Sequence, residues 1–299
     1  LAVDSENEFR YDSETRTWYH RIHPSDPPQF NPQQCIGMWL ESIRTTDSER
    51  RRFLRRRTRQ ACDTHRSRLE LSLPFHVGLF EPALAGNRQL AGHIMNEQLP
   101  SGLWALEKQP GQEGWIGKDG TLTSGTCALN LLRLMRHARI TGAPDALAAA
   151  RRGLDAVARF PIPRGGQTWE VPVQVADIIV AGYLAEAFLD AYRVWNDPDD
   201  LQAAVYWAKA GIPFVYLWNL PEKPVMRGCT IPVFGNDWFA RPVQWCGRDM
   251  LEAFLDLAER DDSYPWRRLA DCIIAAYMHQ TLGPDLRMYR DGGRSTAAS

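Results

Sequence analysis

Three stretches of this chain repeat one pattern, a small-residue-rich helix, a short turn and a second helix, and that repeat constrains the fold more than any single motif. The first, LTSGTCALNLLRLMRHARITGAPDALAAARRGLDAVARF, runs from Leu122 to Phe160. The second, QVADIIVAGYLAEAFLDAYRVWNDPDDLQAAVYWAKAGIPFVYLW, runs from Gln174 to Trp218. Pro144 and Pro198 superimpose at a shift of 54 residues, bringing RITGAPDAL onto RVWNDPDDL. A third copy, RPVQWCGRDMLEAFLDLAERDDSYPWRRLADCIIAAYMHQ, starts at Arg241, about 66 residues after the second. One helix pair cannot bury its apolar face alone, so repeats of this size must stack on one another.

Within each copy the first helix is dense in small and apolar residues and the second is more amphipathic. In the first copy Ala128, Leu131, Leu132, Met135 and Ala138 fall at helical spacing, while DALAAARRGLDAV sets arginines against an apolar stripe. The first helix of each pair is therefore expected to be inner and the second outer. Stacked around an axis, such pairs make an all-α fold, the alpha/alpha toroid. A charged pair, read as helices over 42–70 and 82–98, would be a fourth hairpin. The expected organisation is an N-terminal arm with β-like segments over 1–41, a toroid over 42–283 and a tail over 284–299. Four pairs are fewer than a full ring usually holds, so a neighbouring β domain or a second copy of the chain is the partner that would complete it.

Composition narrows the function. The 299 residues are 44% hydrophobic with a net charge of -1 and a pI near 6.7, which gives no general electrostatic reason to bind nucleic acid or an anionic membrane. Seven arginines between Arg50 and Arg59 form the one basic run, read as a solvated helix face. No apolar stretch is long enough for a transmembrane helix. The chain begins without Met and shows no charged-then-apolar leader, which leaves its compartment open. The six cysteines form no CxxC pair and read as free buried thiols, so neither a metal nor another cofactor is expected.

In a toroid the loops that lead into the inner helices converge on one mouth, towards which the helix N-termini point their positive dipole ends. Those loops carry the chemistry-bearing residues. Ahead of the second repeat, RGGQTWEVPVQVAD brings Gln167, Trp169, Glu170 and Asp177. Ahead of the third, FGNDWFARPVQWCGRD brings Asp237, Trp238, Arg241, Gln244 and Trp245. Carboxylates, amides and indoles at one mouth suit a carbohydrate. Indole faces stack on sugar rings, amides pair with hydroxyls, and two carboxyls divide acid and base work across a glycosidic bond. Glu170, between Trp169 and Val171, is the favoured general acid, with Asp177 or Asp237 as base or nucleophile. Each has a plainer role available: Asp177 as a helix cap, Asp237 as a turn residue, Glu170 as an ion-pair partner. Asp197-Pro-Asp199-Asp200 fits the DxDD pattern of isoprenoid cyclases, but it occupies the turn that matches Ala143-Pro144-Asp145, where capping is the simpler account. Trp245-Cys246-Gly247 matches part of a zinc motif of lanthionine cyclases and lacks the other ligands.

Taken together, GGQTWEVPVQVADIIVAGYLAEAFLDAYRVWNDPDDLQAAVYWAKAGIPFVYLW and ARPVQWCG resemble the six-hairpin glycosidase group of alpha/alpha toroids over Leu122 to Gln280. The resemblance implies a carbohydrate-active enzyme acting on an oligo- or polysaccharide, either a hydrolase using acidic residues or a polysaccharide lyase. For a lyase the candidate bases are Tyr183, His20 and His93. A non-catalytic glycan-binding scaffold is the remaining alternative.

Overall fold

The computed structural model describes residues 9–12, 17–20, 29–30, 38–39, 41–64, 80–107, 114–168, 171–219, 221, 227–231, 233 and 244–280. Side chains of 9–30, 61–64, 80–87, 244–245 and 277–280 lie outside that description. The chain divides into two compact units, Leu1–His93 with the last two residues, and Ile94–Ala297.

In the first unit β1 (Phe9–Asp12), β2 (Thr17–His20) and β3 (Gln29–Phe30) form an antiparallel sheet, with Phe9 opposite His20 and Tyr19 opposite Phe30. The helix α1 spans Ser48–Thr64. The sequence suggests one uninterrupted helix from residue 42, whereas α1 starts at Ser48 because Asp47 caps it. The Asp47 carboxylate accepts the backbone N–H groups of Glu49 at 2.8 Å and Arg50 at 3.1 Å, ending the preceding turn. The helix α2 (Phe80–Glu97) begins in the first unit and ends in the second.

The second unit is built of three hairpins: α3 (Ser124–Thr141) with α4 (Pro144–Val157), α5 (Ile178–Trp195) with α6 (Pro198–Gly211), and α7 (Gln244–Leu257) with α8 (Trp266–Gln280). Each second helix packs on its own partner, while α3 packs on α5 and α5 on α7. The three first helices are therefore the inner layer of the toroid. Thirteen residues of α5 are buried, among them Ile178, Ala181, Leu184 and Phe188, because it has neighbours on three sides. Trp104, Leu131, Met135 and Leu154 fill the first hairpin, and Trp207, Phe254 and Trp266 the others. Burial stabilises by about 1.5–3 kcal/mol for each large apolar side chain of this kind.

The repeat extends to the caps. Thr123 and Asp177, 54 residues apart, are the N-caps of α3 and α5. Gly142 and Asn196, also 54 apart, end the same helices in the left-handed conformation with φ of 65° and 52°. Pro144 and Pro198 then open the outer helices, where a missing N–H costs nothing. In the DxDD turn the Asp197 carboxylate accepts the Asp199 N–H at 3.0 Å. Asp200 is buried and held by both Arg151 nitrogens at 2.9 and 2.7 Å, with that guanidinium 4.0 Å from the centre of the Trp195 ring. These acids close the hairpins together, a structural task.

Candidate active site

Three loops lead into α3, α5 and α7, and their described parts are tied together. Ser124 Oγ donates to the Ile162 carbonyl at 2.8 Å, and the Gly125 N–H donates to the Arg164 carbonyl at 2.8 Å. The first turn of α3 thus clasps residues 162–166. No side chain fits at Gly125, where a Cβ would lie 2.3 Å from the Gly166 nitrogen. On the other side the Val173 N–H donates to the Ile116 carbonyl at 2.7 Å, and Leu106, Ile116 and Val173 form a small apolar cluster. Asp177 forms a β-bridge with Val233, and Val171, Val175 and Val233 pack together. The segment leading into α7 is itself folded back, Val215 bridging Thr230.

At the centre of this knot is Asp177. Its carboxylate accepts the N–H groups of Gly166 at 2.8 Å and Val180 at 3.1 Å, the second being the helix cap. Burial pushes its pKa up to about 6, although those backbone N–H groups favour the ionised form. A helix N-terminus ordinarily favours an anion, so the desolvation must outweigh both contributions.

Deeper along the inner helices, Tyr183, Glu186, Asp190 and Arg193 form one stripe of α5 at helical spacing. Gly182 lets α7 come close: a Cβ there would be 2.5 Å from the Asp249 carbonyl oxygen, so the second turns of α5 and α7 touch backbone to backbone. Asp249 sits beside Arg248, 3.5 Å away, and burial raises its carboxyl to about 6 in spite of that cation. The Tyr183 phenol is raised by burial first and then by the charge of Asp249. Arg136, from α3, bonds Glu186 and lies 3.3 Å from Glu252 and 3.6 Å from Asp190. Glu186 still has its pKa well above the usual range, because burial and the surrounding Glu252, Asp249 and Asp190 outweigh Arg136. Below this, Asp190 forms an ion pair with Arg139 at 3.1 Å and accepts from Arg193 at 2.5 Å. The stripe opens to solvent at Glu252 and Arg248, each about half exposed.

Of the residues singled out from sequence, Asp177 and Gln167 are brought into this knot. Gln167 is fully buried, and its carbonyl accepts the Val171 N–H at 3.1 Å. Trp169, Glu170, Asp237, Trp238 and Arg241 lie outside the described residues, as do the side chains of Gln244 and Trp245, which open α7. Sequence reasoning missed Asp249, Glu186, Glu252 and Arg136, and also two exposed indoles. Trp115, 51% exposed, precedes the Ile116 that is bonded to Val173, and Trp218, 62% exposed, follows the Val215–Thr230 bridge. Cys127 is buried against the Trp104 carbonyl, and burial raises its thiol, which removes it as a nucleophile.

Neither a protein-family model nor a curated protein matches the sequence. Solved structures do. An unsaturated glucuronyl hydrolase from Bacillus sp. GL1, described as responsible for the degradation of glycosaminoglycan, is 15% identical with a TM-score of 0.57, over 92% of this chain and 78% of its own. The fold is that of the six-hairpin alpha/alpha-toroid glycosidases. An unsaturated glucuronyl hydrolase specific for heparin gives 11% identity and a TM-score of 0.54, over 86% of this chain and 76% of its own. A structure carrying the oligosaccharide dGlcA-Glc-Rha-Glc gives 16% and 0.56, over 92% and 78%. Identities this low make the likeness one of fold. Among the described residues no helix is long and apolar enough to cross a membrane.

Proposed function

We propose that this chain is a carbohydrate-active enzyme that hydrolyses a glycosidic bond at the mouth of its toroid, with Asp177 and Asp249 as the acid/base carboxyls. One observation carries the reading. Thr123 and Asp177 occupy equivalent N-caps, and Thr123 caps α3 with a neutral hydroxyl in a capping box with Thr126, at 3.1 and 3.3 Å. Capping therefore needs no ionisable group at this place in the hairpin, yet the second hairpin buries a carboxyl there and holds it near pH 6. Asp249, two turns into the neighbouring inner helix, is held at a similar value. Two carboxyls on adjacent inner helices that titrate near neutrality can lend and retrieve a proton at working pH.

Glu170 and Asp237, on the segments before Val171 and after Val233, are the further carboxyls of this site, and Gln167, Trp169, Trp238, Arg241, Gln244 and Trp245 its sugar-binding residues. Trp115 and Trp218 add exposed indole faces on which sugar rings can stack. Burial keeps the Tyr183 phenol un-ionised, which weighs against Tyr183 as the base of a β-elimination. Because the matched structures are named for unsaturated glucuronyl hydrolysis, oligosaccharides ending in an unsaturated uronate are the first substrates to assay. Turnover should appear with one such oligosaccharide or another in a glycan panel, and it should be lost in Asp177→Asn. Asn can keep the Val180 cap but loses the acceptor for the Gly166 N–H, so folding is checked alongside, and undiminished turnover by a folded Asp177→Asn protein would remove the assignment.

A further inference from the structure

The arginine run reads from sequence as a solvated face, but its geometry is more specific. Arg52, Arg55, Arg56 and Arg59 are all exposed and stand at i, i+3, i+4 and i+7 of α1, so they share one helix face. From first to last the row measures about 10 Å along the axis. Among the described residues no carboxylate lies within 4 Å of any of the four; the nearby ion pair, Glu41 with Arg50 at 3.4 Å, belongs to a neighbouring position. One of the four has a cation–π partner, Arg55 lying 5.5 Å from the Trp39 ring centre, and the neighbouring Arg57 lies 5.3 Å from that of Phe53, itself 38% exposed.

Like charges at i,i+3 and i,i+4 destabilise a helix, and Arg52–Arg55, Arg52–Arg56, Arg55–Arg59 and Arg56–Arg59 are such pairs, offset at the Arg52 end by the charge of Asp47. Neutralisation by an external polyanion would relieve that cost. Guanidinium forks bind carboxylate and sulfate oxygens in pairs and are less strongly hydrated than ammonium groups, which suits them to a regularly charged chain. A single-stranded nucleic acid needs successive aromatic platforms for successive bases, and the two rings beside this row, Trp39 and Phe53, already lie against the guanidinium groups of Arg55 and Arg57.

We infer that this face of α1 is a binding surface for an acidic polysaccharide, separate from the acid/base site of the second unit. The choice of a polysaccharide rests on the carbohydrate reading of the toroid; the anion-binding face itself does not.

The test uses the full chain and the double variant Arg56→Ala/Arg59→Ala. Removing like-charge pairs and introducing Ala should leave the helix as stable or more so, which a thermal melt checks. Binding is measured to polygalacturonate, dextran sulfate, neutral dextran and a single-stranded DNA oligonucleotide across a salt series. The expected result is binding to at least one acidic polysaccharide and not to neutral dextran. Affinity should fall tenfold or more in the variant, with a salt dependence shallower by about two, one for each lost contact. Turnover of any short oligosaccharide substrate should be unchanged in the same variant. Undiminished polysaccharide binding in the variant, no binding by the wild type, or tighter binding of DNA would overturn the inference. Polysaccharide binding through α1 in a protein that cleaves no glycan would instead sink the proposed function and leave this surface standing.

Discussion

The first and second hairpins share a frame position by position and differ where they face the mouth and the neighbouring inner helices. At a shift of 54 residues Gly142 matches Asn196, Pro144 matches Pro198 and Arg139 matches Arg193. The caps at the mouth do not match in chemistry: Thr123 is neutral and Asp177 is a buried acid. Nor do the inward positions, where Leu132 and Arg136 of α3 stand against Glu186 and Asp190 of α5. At a shift of 66 residues α7 repeats the acids of α5, with Glu252 at Glu186 and Asp256 at Asp190. The basic α3 thus faces two acidic inner helices, and Arg136 joins them. What the hairpins share is what holding the fold requires, and what they do not share marks the site.

The mouth-end caps give the largest expected contrast. Asp177→Asn should lower kcat by about 10²–10⁴-fold while the protein stays folded, the range expected for loss of a general acid or base. Thr123→Ala should do the reverse, reducing stability by about 1 kcal/mol with turnover retained. Equal kinetic effects at the two caps would mean that both act only by placing the loops. Next comes Arg136→Met, which leaves Glu186 and Asp190 buried with one cation fewer. Breaking a buried pair from one side costs about 3–5 kcal/mol, read as a fall in the denaturation midpoint. A loss below about 1 kcal/mol would make Arg136 a surface residue in energetic terms, and the basic-against-acidic contrast would lose its meaning.

Asp249 extends the comparison to pH. Its carboxyl titrates near 6 in the folded chain and near the ordinary aspartate value of 3.8 in the unfolded one. Between those values the folded state binds more protons, so the wild-type protein should lose stability as pH rises from about 4 to 6. A shift of about two units corresponds to about 3 kcal/mol at pH 7. Asp249→Asn cannot ionise, and it should therefore gain on the wild type through that window, with the difference read from denaturant midpoints at pH 4 and pH 7. A constant difference across the window would place the buried charge elsewhere, with Glu186 the next to test.

How far the sequence disclosed this follows from the physics of each feature. The hairpins and their far turns were legible because proline at the first helical position, a left-handed residue before it and aspartate caps are local signals. Asp197 could be recognised as a cap from its match to Ala143 before any partner was known. The break at Thr45–Asp47 was less visible, since a short helical turn ending at Arg44 precedes it and the arginine-rich run of high helix propensity follows. Glu186 and Asp190 were not legible as site residues, because charges in a helix ordinarily read as its solvated face. A signal was present, however: in YLAEAFLDAYR every other face is apolar, so a helix buried on those faces must turn its acids towards other inner helices. Asp249 depended on Gly182, whose role emerges only when two backbones are seen in contact.

The far-end caps supply the smallest effect and the sharpest control. If the mouth-end caps differ because one does chemistry, the caps at the opposite ends of α3 and α5 should be exchangeable. Gly142 and Asn196 adopt the same left-handed conformation, and each donates its N–H to the carbonyl four residues earlier, Ala138 or Tyr192, at 2.8 Å. Nothing lies within 4 Å of a Cβ at Gly142, so an asparagine meets no obstacle there. Asparagine tolerates this conformation better than other non-glycine residues, so Gly142→Asn should cost under about 1 kcal/mol and Asn196→Gly should change stability by a few tenths. Turnover should be the same in both. A kinetic effect from either exchange would show that the far end of the hairpin communicates with the mouth, and the division between shared frame and unshared site would have to be redrawn around the whole length of α5.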